Sequence, residues 1–407
     1  MIKMITMKKS KITNNHATQD SNHSNQNNHT NQSSDNGWEI KRLGEVCDKA
    51  SSNVSQNQLA NENGDYPIYG ASGIIKNVSF YHQNKEYVSI IKDGAGIGRI
   101  ALLPAYSSVI GTLQYLIPKA CIDICYFFYF LSSVDFLKYK NGSTIPHIYF
   151  KDYSVEPIFV PPLPEQQRIV SILDKVFAAI AKAKANSEQN LKNAKQLFES
   201  YLQSVFENKG ENWEEMEIGE VLKKTENVDP TKYPNNEFTY LDVSSVNKDT
   251  KEIENVTLMM GKDAPSRARK LIKTNDVIFA TVRPTHSRVA LITEEYDEQV
   301  CSTGYIVLRT KEFINCNLVF YFLLTFWFNK QMEKLQKGAS YPAVTDSEVK
   351  GIIITFPKSL TEQKSIVQKL DALSAETKKL EAIYQKKIAD LEELKKSVLQ
   401  KAFSGQL

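Results

Sequence analysis

The spacing of apolar and polar positions divides the chain into stretches of two kinds. Residues 37–162 carry short β-rich runs, such as Tyr87-Val-Ser-Ile-Ile91 and Thr112-Leu-Gln-Tyr-Leu-Ile117, broken by glycine-containing turns. The aromatic stretch Cys121 to Leu131 is too short to span a membrane and predicts a buried helix near 122–140. In residues 163–210 the period changes. Ile169, Leu173, Val176, Ile180, Ala183, Leu191, Ala194, Leu197, Tyr201 and Val205 form one heptad-like stripe, which predicts a long helix stopped by Asn208 and Gly210. Residues 211–358 form a second mixed unit, with strands near 239–243, 277–282 and 305–309 and a helix near 317–335. Residues 359–407 carry a second stripe: Ile366, Leu370, Leu373, Thr377, Leu380, Tyr384, Ile388, Leu391, Leu394, Val398 and Phe403. Ser359 and Glu362 have the spacing of a capping box at its start, and Gly405 ends it.

Each long helix would span on the order of 60–70 Å at ~1.5 Å per residue. A single apolar stripe needs a partner. The economical partner is the other long helix, giving an antiparallel coiled-coil rod between two mixed α/β units. Two separate helical hairpins, or a coil between chains, would cover the stripes as well.

The chain repeats itself. Pro-Leu-Pro164-Glu165-Gln166-Gln-Arg-Ile169-Val170 opens the first long helix, and Ser359-Leu-Thr-Glu362-Gln363-Lys-Ser-Ile366-Val367 opens the second, 197 positions later. Trp38 with Leu43-Gly44-Glu45-Val46 recurs as Trp213 with Ile218-Gly219-Glu220-Val221, 175 positions later. Phe-Tyr-Phe-Leu occurs at 128–131 and 320–323, and Gly142-Ser-Thr-Ile-Pro146 answers Gly338-Ala-Ser-Tyr-Pro342. The frames recur while the interiors of the mixed units differ. A tandem repeat mimics a two-fold dimer, and duplex DNA is the commonest target with two related halves.

Composition narrows the classes. A length of 407 residues allows two or three domains. A net charge of +3 neither demands nor excludes nucleic acid, so local charge decides. The five cysteines, Cys47, Cys121, Cys125, Cys301 and Cys316, show no zinc spacing and read as reduced cytoplasmic thiols. The opening residues are too short and polar for a signal peptide, and Met4 and Met7 are alternative starts. Residues 1–36 form a tail, low in complexity from 11 onward, that is expected to be disordered; its His16, His23 and His29 could bind metal but read as solvated.

The doubled P/S-L-x-E-Q-x-x-I-V openings, the W-x5-L/I-G-E-V unit starts, the G-[SA]-[TS]-x-P turns and the ending AFSGQL resemble the specificity subunits of type I restriction–modification systems. The resemblance covers the chain from Trp38 onward. It implies two target-recognition domains, each reading one half of a bipartite double-stranded DNA sequence, with the helices spacing them and docking two modification subunits. Motor-nuclease restriction subunits would join that core. The resemblance also implies no catalytic residues in this chain, with S-adenosylmethionine, ATP and Mg confined to the partner subunits and adenine N6 as the methylated atom. The tail departs from the family pattern.

Three local signals bear on DNA contact. Asp93-Gly94-Ala95-Gly96-Ile97-Gly98-Arg99 follows a strand and looks like a cofactor-cradling glycine loop. Pro104 interrupts the next segment, and the chain has neither an Asn/Asp-Pro-Pro-aromatic methylase motif nor a Walker lysine motif, so a tight β-turn is expected. In a recognition domain such a turn would bring Lys92 and Arg99 to DNA. Between Asp263 and Arg288, Arg267, Arg269, Lys270, Lys273, Arg283 and Arg288 outnumber Asp263 and Asp276, and His286 sits between two arginines. Arginine reads guanine bidentately and both cations neutralise phosphates, although a solvated loop has the same composition. In the two G-[SA]-[TS]-x-P turns, Ser143, Thr144, His147, Ser340 and Tyr341 could reach phosphate or a base edge, or simply connect strands. His82, His147 and His286 have no Ser/Asp pattern that would form a triad. Two rivals remain open: a self-contained S-adenosylmethionine-dependent DNA methyltransferase and a coiled-coil adaptor that binds no DNA.

Overall fold

The computed structural model describes residues 38–404 and 406. The expected tail 1–36, with its three histidines and alternative starts, and the helix-ending Gly405 lie outside those residues. The chain divides into two compact units, one reaching Val176 and including the segment from Lys396 onward, the other Phe177–Lys395.

The first unit opens with Glu39–Arg42 paired antiparallel to Pro157–Val160, Glu39 opposite Val160. A four-stranded sheet runs in the order Cys47–Ser51, Leu113–Pro118, Tyr87–Ile91, Ile100–Leu103. Every residue of the strand Tyr87–Ile91 is buried. A three-stranded sheet pairs Gly73–Val78 and Ser108–Val109 with Tyr66–Gly70. Helix α1, Ile124–Ser133, is shorter than the pattern predicts. Asp123 caps it by accepting the N–H groups of Cys125 and Tyr126, both at 2.9 Å. Asp135 then accepts the N–H of Leu137 at 3.0 Å and starts a separate 3-10 turn, Phe136–Tyr139. A side-chain acceptor that competes with helical bonding ended α1 where hydropathy continued.

Helix α2, Leu163–Glu207, begins in the first unit and ends in the second. The second unit repeats the plan. Trp213–Glu217 pairs antiparallel with Ile353–Pro357, Trp213 opposite Pro357. A four-stranded sheet runs Thr257–Met260, Glu237–Leu241, Val300–Ser302, Ala268–Leu271, and a three-stranded sheet runs Val289–Leu291, Val277–Ala280, Tyr305–Leu308. The single helix predicted near 317–335 is two: α3, Cys316–Leu323, and α4, Phe326–Leu335. Thr325 makes the break. Its hydroxyl donates to the Phe322 carbonyl at 2.8 Å and accepts the Phe328 N–H at 3.1 Å, ending one helix and capping the next.

Helix α5, Leu360–Phe403, runs antiparallel to α2 within the second unit: Lys184 pairs with Glu392 at 2.5 Å and Lys195 with Glu381 at 3.8 Å. The expected stripes need correction at three positions. Leu197, Leu380 and Leu394 are 53%, 38% and 47% exposed, whereas Leu202, Phe206 and Leu399 are buried. A seam between two helices is narrow, and the end of α2 widens its apolar face, with Leu202 and Phe206 in the core of the second mixed unit and the stripe residues Tyr201 and Val205 packed against it. The capping box is also incomplete. Ser359 Oγ accepts the Glu362 N–H at 3.4 Å, but Glu362 Oε1 accepts the indole N–H of Trp213 at 3.3 Å.

The doubled Glu-Gln motif has a packing purpose. Gln166 is fully buried; its Oε1 accepts the Asp123 N–H at 2.8 Å, and its Nε2 donates to the carbonyls of Cys121 at 2.9 Å and Pro161 at 2.8 Å. Gln363 does the same with Asn315 N–H at 2.7 Å and the carbonyls of Phe313 at 3.0 Å and Pro357 at 2.8 Å. Each glutamine therefore ties a long helix to the short helix and the ribbon of its own domain. Aromatic contacts repeat too: Phe403 lies 5.7 Å from Phe130, and Phe206 lies 5.4 Å from Phe322.

Candidate nucleic-acid interface

In each domain a buried central strand runs into a loop, and that loop is clamped to the glycine turn that follows the short helix. In the first domain Ile91 N–H donates to Arg99 O at 2.9 Å, closing the loop 92–98 at its base. Ile97 N–H donates to Gly94 O at 3.2 Å, and Gly94 N–H reaches Pro146 O at 2.8 Å. The turn is a two-way bridge, with Asn141 and His147 exchanging N–H···O bonds at 2.8 and 2.9 Å.

The second domain builds the same frame from other residues. Ala280 N–H donates to Arg288 O at 2.9 Å, His286 N–H to Arg283 O at 2.9 Å, and Arg283 N–H to Pro342 O at 2.7 Å. Lys337 and Ala343 exchange bonds at 2.9 Å each way. Backbone signs match as well. Gly94 and Gly98 have φ +96° and +81°, and their counterparts Arg283 and Ser287 have +51° and +48°. Left-handed backbone costs a residue with a Cβ of order 1–3 kcal/mol, so such residues persist only when their surroundings hold them. Lys251 Nζ donates to Ser287 O at 2.7 Å, and the Asn329 amide donates to Thr285 O at 3.1 Å and Ser287 Oγ at 2.6 Å.

The turns themselves require glycine. Gly142 and Gly338 have φ +81° and +101°, and a Cβ there would stand 2.5 Å from Ile145 O and 2.9 Å from Tyr341 O. The tips project: Ser143, Thr144, Ser340 and Tyr341 are exposed, and His147 is half-buried. The glycine-rich loop 93–99 is a turn that feeds the strand Ile100–Leu103, so it does not open onto the helix N-terminus that phosphate-cradling loops use.

The sequence-derived candidates divide on this geometry. Arg99, Arg283 and His286 are exposed on the clamped loops, with Lys92 and Arg288 half-buried at their bases. Lys92 is ion-paired with the adjacent Asp93, and Arg288 donates to Val246 O. Partial desolvation, then the charges of Lys248, Arg283 and Arg288, push His286 below its ordinary pKa of 6.5, so at neutral pH its ring offers one donor and one acceptor. The run 263–288 is not one basic patch. Arg269 pairs with Asp229 at 3.4 Å, and Lys270 is held by Asp346 at 2.7 Å and Tyr305 O at 2.6 Å. Buried Asp276 is the bidentate partner of Arg309, at 2.9 and 2.8 Å. Arg267 is exposed on a separate segment, and Lys273 is half-buried with its backbone N–H on Asp276 at 2.8 Å.

The match of the two loops escaped the sequence reading, although a signal was there. Both end on an arginine that opens an apolar strand, Arg99-Ile-Ala-Leu102 and Arg288-Val-Ala-Leu291. Lys251 and Asn329 carried no sequence signal. Among the described residues no group of three or more His, Cys, Asp or Glu side chains is placed to hold a metal, and no helix is long and apolar enough to cross a membrane.

The chain is similar to known proteins. The family model of the type I restriction modification DNA specificity domain matches residues 35–193 and 210–390. The MjaVIII type I restriction enzyme specificity subunit of Methanocaldococcus jannaschii is 25% identical over 351 residues, which is 80% of each chain. The EcoDI specificity subunit of Escherichia coli is 23% identical, covering 91% of this chain and 88% of that one. A chain solved in work on complex assembly and conformational transition of the type I R-M system has a TM-score of 0.72 at 18% identity, over 91% of this chain and 98% of that one. Its likeness shows the fold: two mixed domains joined by a long helix. With both mixed domains matched, the chain belongs to the type I restriction–modification specificity subunits and carries their DNA specificity domain twice.

Proposed function

We propose that this specificity subunit reads a bipartite sequence in double-stranded DNA, one half per domain, through the two clamped loop pairs. The observation that carries the reading is the backbone frame built twice with matching hydrogen bonds but with different exposed side chains. A constant frame with variable tips suits two different half-sites. On Arg99, Arg283, His286, Ser143, Thr144, Ser340 and Tyr341, phosphate contacts would set the register and base-edge contacts the sequence. Arg267, Lys273, Lys92, Arg288, Arg269 and Lys270 are second-rank candidates, since the last four spend their charge or donors within the protein.

Helices α2 and α5 space the domains and dock two modification subunits, to which motor-nuclease subunits add. The exposed Leu197, Leu380, Ile383 and Leu394 offer apolar area for that docking. S-adenosylmethionine, ATP and Mg act in those partners, and this chain is not itself an enzyme. The partners would flip the target base and methylate it.

Salt titration of DNA binding by the assembled complex tests the proposal. Arg99→Ala and Arg283→Ala should each weaken binding; where the lost contact is to phosphate, the salt slope falls by about one. Unchanged affinity and slope in both variants would put the DNA face elsewhere. Purified chain alone, given DNA and each cofactor, should neither methylate, cleave nor hydrolyse ATP. Turnover that survives further purification would refute the non-catalytic role.

A further inference from the structure

The two loop pairs share a backbone and differ throughout in side chain, and two paired positions bear on base reading. At the turn tip, before the proline, the first domain has Ile145 and the second has Tyr341; they are 66% and 73% exposed. At the left-handed position clamped to that proline, the first domain has Gly94 and the second has Arg283.

Glycine serves the backbone at that position, as the first domain demonstrates. A Cβ on Gly94 would meet nothing within 4 Å, so space does not dictate the residue there. In the second domain an arginine occupies an unfavourable left-handed conformation, held by its own N–H on Pro342 O and by the His286 N–H on its carbonyl. The fold has no need of its side chain. Among the described residues the Arg283 guanidinium has no carboxylate partner, and it lies over the Tyr341 ring at 5.5 Å from the centroid. Stacking on a ring face restrains a guanidinium while leaving its in-plane N–H donors available. Such a fork matches guanine O6 and N7. The exposed aliphatic side chain of Ile145 has only apolar area to offer, and in the major groove that chemistry recognises the thymine methyl group.

We propose that Arg283, braced by Tyr341, determines a guanine in the half-site of the second domain, and that Ile145, at the equivalent turn tip, determines a thymine in the half-site of the first. Arg283 and Ile145 touch the bases; in this base choice Tyr341 is a positioning residue that acts through its ring, any contact of its hydroxyl being to phosphate. The inference rests on the DNA face proposed above.

The test uses the complete complex in a host, with methylation-sensitive sequencing as the readout. Arg283→Gly installs the residue that the first domain uses, so the backbone is preserved. It should relax one guanine position of one half-site by roughly 5- to 150-fold, the discrimination of a bidentate pair. Arg283→Lys keeps the charge but not the fork and should relax the same position. Tyr341→Phe should retain selectivity, Tyr341→Ala should lose part of it at that position, and Ile145→Ala should relax a thymine in the other half-site. Full selectivity in Arg283→Lys would mean a phosphate contact only and would overturn the claim. So would reduced modification-subunit binding in which every site still methylated keeps its full sequence, which would make the tips protein-docking elements. A parallel arm exchanges residues 213–357 for a relative's domain. If that exchange alters a half-site and the point variants do not, this inference fails while the proposed DNA reading stands; if the exchange alters nothing, the reading itself fails.

Discussion

Replacing Gln363 with leucine tests why the Glu-Gln motif occurs twice. Gln363 is fully buried and makes three hydrogen bonds, to Asn315 N–H and to the carbonyls of Phe313 and Pro357, at 2.7 to 3.0 Å. Leucine has nearly the same volume, so little of the loss would come from a cavity. It leaves one donor and two acceptors without partners, each worth about 1–3 kcal/mol when buried. Local relaxation recovers part of this, so the net cost is about 3 kcal/mol. For a unit of 150–250 residues that lowers Tm by roughly 6–12 °C. Gln166→Leu should cost a similar amount, because its three bonds are the same three in kind. Exposed Gln167→Leu serves as the control and should shift stability by no more than about 0.5 kcal/mol. Gln363→Glu keeps an acceptor for Asn315 but turns a carboxylate towards two carbonyls, so at neutral pH it should be no better than leucine. Calorimetry or circular dichroism melting of the purified chain measures all four. If both buried variants melt with the Gln167 control, the glutamines are not what ties the helices to their domains.

Further predictions concern titration, thiols and backbone. Glu348 accepts the Thr345 N–H and pairs with Lys337, which holds its carboxyl down at about 2. A depressed acid stabilises the fold above its unfolded pKa and loses that contribution as pH falls to about 2, so carbon-13 NMR should show Glu348 ionised at pH 3; titration near 4.3 would refute the cap. Burial pushes Lys251 down to about 8. Between about 8 and 10.5 the unfolded chain binds the extra proton, so this group favours folding as pH rises through that window, and NMR of the methylated lysine should place its midpoint near 8. Burial raises the thiols of Cys47 and Cys301 to about 12, while Cys121 is exposed. A thiol reagent should label Cys121 in the native chain and leave the other two until denaturant is added. Gly338→Ala forces a Cβ to 2.9 Å from Tyr341 O at φ +101° and should cost about 1–3 kcal/mol while impairing only the half-site of its own domain.

Much of this molecule was legible because periodicity and repetition report directly on packing. The stripes located both long helices, and the repeated motifs paired the domains. Legibility failed where a polar side chain overrode hydropathy. Thr325 splits an apolar run into α3 and α4, and Asp135 ends a helix early. It failed at Leu197 and Leu394 because a stripe says that a face is buried, not which partner buries it. The basic run 263–288 looked like one patch because charge counting is one-dimensional. Asp229, Asp346 and Arg309, all outside the run, engage Arg269, Lys270 and Asp276. The kinship of Gly94 with Arg283 was hidden because a glycine and a braced arginine satisfy the same backbone by opposite means.

Exchange of residues 213–357 for the corresponding domain of a relative, followed by methylation-sensitive sequencing of a host carrying the whole system, measures the central claim of modular reading most directly. One half of the methylated sequence should change to the relative's, with the other half kept. A change in both halves, or in neither while the hybrid still methylates DNA, would contradict one half-site per domain.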